Sequence, residues 1–166
     1  MTPKRNFFRK GLLILSTLFG AAFAGLMTSV VMTLFEFTFW KKWGMKGVAE
    51  WQTNQVILSK LTRASPDRTR EPRISCTITL HLWHGVAAGI AFGLLLPVFT
   101  LLSAGNFSVL LDAVIYSIAL WIIFMLAPRR SFESAGGTQI SGRSLLVALA
   151  SHLVYGVFLG LLVPLA

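Results

Sequence analysis

The sequence predicts an all-α polytopic membrane protein: four transmembrane helices with a basic, partly amphipathic first loop, forming a single membrane domain over residues 1–166. Three observations carry that prediction. Hydrophobic residues make up 55% of the chain against 13% charged, with a mean hydropathy of +0.71, outside the range of ordinary soluble domains. The apolar residues fall in four runs, at about 11–40, 74–102, 109–128 and 144–165, each suited to crossing a bilayer core. The basic residues collect between those runs. The net charge of +9 therefore reads as topology and contact with anionic lipid headgroups, not as nucleic-acid binding. Cys76, the single cysteine, excludes an internal disulfide and a cysteine-built metal cage.

The first run follows Lys4, Arg5, Arg9 and Lys10 and imitates a secretory signal, with Ala22-Phe23-Ala24 as a cleavage box. A signal core ends within about 15 residues, whereas this run continues to Trp40, so it reads as an uncleaved span. Ser16, Gly20, Ala24 and Thr28 recur every four residues, a small-residue stripe for close helix contact. Glu36 is the only acid in the run. The basic loop 41–73 follows. Its first two-thirds read as an interfacial amphipathic helix, with Trp43, Val48, Trp51 and Leu58 on one side and Lys42, Lys46 and Glu50 opposite. Its last third, RASPDRTREPR, is a polar linker that proline keeps out of a helix.

The second run contains HLWHGVAAGIAFGLLLP, in which His81, Gly85, Gly89, Gly93 and Pro97 share one slowly drifting helix face. That face admits another backbone at close range. The turn SAGNFS leads to the third run, VLLDAVIYSIALWIIFMLAP, which lacks glycine and is expected to face lipid more than its neighbours. Asp112, near its start, reads as a helix N-terminal acid favoured by the dipole. A Gly/Ser-rich loop, RRSFESAGGTQISGR, precedes the fourth run. There Gly156, Gly160 and Pro164 repeat Gly89, Gly93 and Pro97 as GxxxGLLxP, which hints at two parallel hairpins.

Loops one and three lie on the same side and carry eleven Lys and Arg between them. By the positive-inside rule they are cytoplasmic and both termini external, in the plasma membrane of the cell. The four basic residues before the first run oppose that orientation.

Glu36, His81, His84 and His152 all fall a turn or two below the basic membrane face, where ionisable side chains point into a bundle. A transition metal suits this imidazole and carboxylate set. Haem b suits His84 facing His152, with Gly85 or Gly156 making room for the ring. A proton relay needs only histidine beside Glu36. The plainer role is hydrogen bonding of interfacial histidines to backbone, headgroups or water, with no cofactor. The chain has no Walker-type phosphate loop, no HExxH and no GxSxG, so no catalytic residue is assigned and a non-enzyme is expected.

GLMTSVVMT in the first run and SHLVYGVFLGLL in the last resemble a loose group of small four-helix membrane proteins of bacteria and archaea. The resemblance implies a prokaryotic multi-pass protein and no particular activity. The leading expectation is a non-enzymatic accessory or assembly subunit, or a homo-oligomer. Its helix-packing residues would be Gly20, Ala24, Gly85, Gly89, Gly93, Gly156 and Gly160. The alternative is a small transporter or sensor of protons or metal ions built on Glu36, His81, His84 and His152. An electron-transfer subunit carrying haem b stands third.

Overall fold

In the computed structural model the backbone is described for residues 3–61, 74–102, 109–137 and 139–163, and side chains from Ser16 onward within those segments, with Leu102 and Gly136 excepted. The expected linker 62–73, the turn 103–108 and Pro164 lie outside the described residues. The described chain is all-helical: α1 (Pro3–Trp43), α2 (Ala49–Leu61), α3 (Ile74–Leu102), α4 (Val109–Trp121), α5 (Arg129–Gly136) and α6 (Gly142–Leu162). Four stretches are long and apolar enough to cross a membrane: Ser16–Trp43, Ile74–Leu101, Val109–Ala135 and Gly142–Leu162.

Two antiparallel pairs make the bundle. In the first, Ser29 faces Gly85, Gly25 faces Gly89 and Ala21 faces Gly93, so α1 and α3 lie backbone to backbone. A Cβ on Gly89 would sit 2.7 Å from the Gly25 Cα, which no side chain tolerates. In the second, Gly156 and Gly160 of α6 receive Ser117, Ala113 and Leu110 of α4. Each repeated GxxxG thus packs against the apolar span that precedes it in the chain. The partner of Gly85 and Gly89 on α1 is Gly25; the expected stripe included Gly20, which is half-buried, and Ala24 and Thr28, which are fully buried.

The third span is not peripheral. Its Ala113 and Ser117 are fully buried, because alanine and serine permit the same close approach as glycine when the facing helix supplies the glycine. Beyond Trp121 the helix widens into a π-helical turn, Ile122–Leu126, closed by a bond from the Ala127 N–H to the Ile122 carbonyl at 2.8 Å. Pro128 follows directly; its ring crowds the carbonyl four residues back, which a wider turn relieves.

The pairs meet along α1 and α6, while α3 and α4 touch each other far less. Between the pairs, the hydroxyl of Tyr155 on α6 donates to the Gly85 carbonyl and that of Tyr116 on α4 to the Ala88 carbonyl, each at 2.9 Å. The core joins Phe92 of α3 to Tyr116, Tyr155 and Leu159.

The connection after α1 turns sharply. Gly44 sits at φ 63°, the left-handed region that favours glycine, and a 3-10 turn, Met45–Gly47, leads into α2. Here the expected two-sided split, with Glu50 opposite Trp51, does not hold. Glu50, Trp51, Gln52, Thr53 and Asn54 are five consecutive buried residues, so the first half of α2 is enclosed on all sides. The segment EWQTNQ has no lysine or arginine to anchor it at a water surface, and it caps the bundle end between α3, α5 and α6.

Replacing Gly89 by valine is expected to destabilise the detergent-solubilised protein by about 1–3 kcal/mol, the usual range for overpacking. Gly142→Ala, with open space around it, should leave the thermal midpoint unchanged. Size-exclusion thermostability measurements compare the two.

Candidate functional site

Three elements bring one acid or imidazole each to the same point. Glu36 lies seven residues from the end of α1 and His81 seven from the start of α3, roughly 10 Å along each axis. The antiparallel register set at Gly25 and Gly89 places them side by side. Glu50 arrives from the first turn of α2. A ligand atom from each of Glu36, Glu50 and His81 lies within 4.8 Å of the other two, and all three side chains are buried.

The Trp51 Nε1–H donates to Glu36 Oε2 at 2.7 Å. His81 presents Nδ1 to Glu50 Oε2 at 3.2 Å, and its Nε2 lies 3.9 Å from Glu36 Oε2. His152 of α6 places Nδ1 2.8 Å from the Ala148 carbonyl oxygen and 2.9 Å from Glu50 Oε1. One N–H cannot point at both. The carbonyl takes it, which leaves Glu50 Oε1 without a hydrogen-bond partner. Glu36 Oε1 and His81 Nε2 are likewise unpartnered and buried. Two carboxylates and an imidazole therefore each keep an unused lone pair or N–H within one buried site.

Glu50 stands on α2, outside the long apolar helices. Its burial acts to raise the carboxyl pKa, but His152 beside it, and then His81, outweigh that and hold it below the ordinary value.

The arrangement brings together Glu36, His81 and His152 from the set read off the sequence, and adds Glu50. His84 does not join them. It is one residue round the helix from Gly85, exposed, and borders a cavity next to the cluster. Asp112 is buried in the first turn of α4 and takes no part. The glycines expected to make room for haem are already used: Ser29 fills the space at Gly85, and a Cβ on Gly156 would lie 2.8 Å from the Val114 Cα. Glu50 was missed because helical periodicity put it opposite Trp51. A polar run without lysine or arginine was the available signal that this helix turns inward.

Compared with models of known protein families, with curated protein sequences and with solved structures, the chain matches none.

Trp51→Phe should remove the indole N–H that donates to Glu36 Oε2 and cost about 1–3 kcal/mol, the desolvation penalty of an abandoned buried acceptor. Thermal unfolding in detergent of Trp51→Phe beside Trp83→Phe, an exposed tryptophan, isolates that loss from the change in ring size.

Proposed function

We propose that this chain is a multi-pass membrane protein that binds one divalent first-row transition-metal ion through Glu36, Glu50 and His81. The observation that carries the reading is that a ligand atom from each of Glu36, Glu50 and His81 lies within 4.8 Å of the other two, in a buried cluster where one oxygen of each glutamate and Nε2 of His81 have no hydrogen-bond partner. Two buried carboxylates side by side repel each other, and a proton or a metal cation between them relieves it. Oxygen and imidazole donors without a thiolate suit manganese, iron, cobalt or zinc and disfavour copper(I). Three protein ligands leave a coordination position open, the pattern of sites that exchange a ligand rather than of closed structural sites.

His152 and Trp51 act on the ligands from outside. Trp51 fixes Glu36 by its indole N–H, and His152 Nδ1 stands 2.9 Å from Glu50 Oε1, where a protonated imidazole would attract the carboxylate. Outer partners of this kind orient ligands and tune affinity. The metal-handling class, as transporter or sensor, is therefore favoured over an accessory subunit. Small-residue faces suggested the accessory role, and in the fold those glycines face one another inside the chain. The basic residues Lys41, Lys42 and Lys46 flank the site's end of the bundle, which this reading places at the cytoplasmic surface of a prokaryotic plasma membrane.

The test is a titration of EDTA-treated protein in detergent with manganese(II), cobalt(II) and zinc(II), followed by calorimetry and elemental analysis. One ion per chain is expected. Trp51→Phe should weaken binding by about 10–100-fold, as outer-shell changes do, and Glu36→Gln or His81→Ala by more. His84→Ala should leave the affinity unaltered. No stoichiometric ion, or equal affinity in the Glu36 and His81 variants, would sink the proposal and return the cluster to proton handling.

A further inference from the structure

Beside the cluster lies a cavity of about 430 Å³, within the ~300–1,000 Å³ range of small-molecule sites. Its shape follows from the two-pair construction. The α3 wall is formed by Gly85, Ala88 and Ala91, which carry no atom beyond Cβ and so present a nearly flat surface. Leu120 and Phe124 stand on the α4 side, the latter carried by the π-helical turn. Phe124, 56% exposed, and the exposed His84 and Ala87 form the rim, so the opening lies in the loose seam between α3 and α4. In a membrane-spanning bundle that seam faces lipid.

The inner end is polar. Asn54 of α2 is 3% exposed, borders the cavity, and its Nδ2 has no hydrogen-bond acceptor. A buried amide donor without an acceptor is costly, and a ligand oxygen would satisfy it. The remaining choices are decided by donor type. A fatty-acid headgroup would place a second carboxyl beside that of Glu50, which also lines the cavity. A lipophilic amine would set a donor against the Asn54 donor. A bare acyl chain would leave Asn54 unsatisfied.

We infer that this cavity is a binding site for a quinone-class lipid that enters from the bilayer between α3 and α4. The planar ring lies along the glycine and alanine wall, a ring carbonyl accepts from Asn54 Nδ2, and the apolar tail leaves through the opening past Phe124. Glu50 and His81 also line the cavity, so it adjoins the proposed metal site, but the contacts assigned to the ring are to Asn54 and the α3 wall and need no ion.

The experiment uses the full chain in phosphatidylcholine nanodiscs, with decylubiquinone as probe and tryptophan quenching plus retention on gel filtration as readouts, in EDTA and again with manganese(II). Saturable 1:1 binding in both conditions is expected. Asn54→Leu should weaken it about tenfold, the worth of roughly one good hydrogen bond. Ala91→Val should weaken it and Ala91→Phe abolish it; Ala91→Val keeps the test decisive should the larger variant fail to fold. Dodecanol and palmitoleate should compete poorly. Unchanged affinity in Asn54→Leu and Ala91→Val overturns the inference, as does equal competition by either chain compound, which would make the cavity an acyl-chain crevice. Binding that appears only with manganese(II) overturns it too, by moving the ring onto the ion, while the loss of metal binding alone leaves it intact.

Discussion

The contact between α1 and α3 at Gly25 and Gly89 has no side chain in it, and backbones that touch directly cannot slide. A shift of one residue along either helix would drive a Cβ into a backbone atom, so the register is fixed by steric exclusion. Everything at the polar end inherits that register. Glu36 and His81 are brought level because each lies a set number of turns from the glycine contact, on helices that run in opposite directions. The α4 and α6 pair repeats the arrangement with Ser117 and Ala113 against Gly156 and Gly160, and it carries His152 to the same level.

A site built this way stands in a demanding environment. Ionised groups away from water are stable only when charge and hydrogen bonds are met locally. Trp51 and His152 meet part of that demand, and both depend on α2 and α6 being seated. The tight turn at Gly44 is what allows α2 to fold back, so one left-handed glycine delivers both Glu50 and Trp51. Three donor atoms are still left over, and that remainder separates the cluster from an ordinary self-satisfied buried network.

The same construction explains why the bundle is unequally closed. Glycine-mediated pairing consumes α1 with α3 and α4 with α6, and α1 with α6 joins the pairs. Two tyrosine hydroxyls tie α3 to the other pair by reaching its backbone carbonyls, Tyr116 from α4 and Tyr155 from α6. Bulky tyrosines act as struts between the pairs, so space remains beside them, and small residues on α3 keep it open. The π-helical turn before Pro128 aims Phe124 and Met125 at that space.

By itself the sequence determined the four long apolar helices, the side on which the basic residues collect, and the glycine repeats that make close pairing possible. Each of these is a local property: helix length, charge position and the absence of a Cβ are legible one segment at a time. Part of the site was legible as well, since the spacing of Glu36, His81 and His152 from their helix ends gives their depth. Which glycine met which neighbour was decided only in three dimensions, as Gly25 rather than Gly20 shows, because the crossing point depends on both helices at once. The inward turn of α2 belongs to the same class. Periodicity assumes one apolar side facing one environment, and Glu50 to Asn54 are enclosed on every side by helices distant in sequence. The fourth member of the cluster therefore became visible only when the tertiary fold placed Glu50 against His81 and His152.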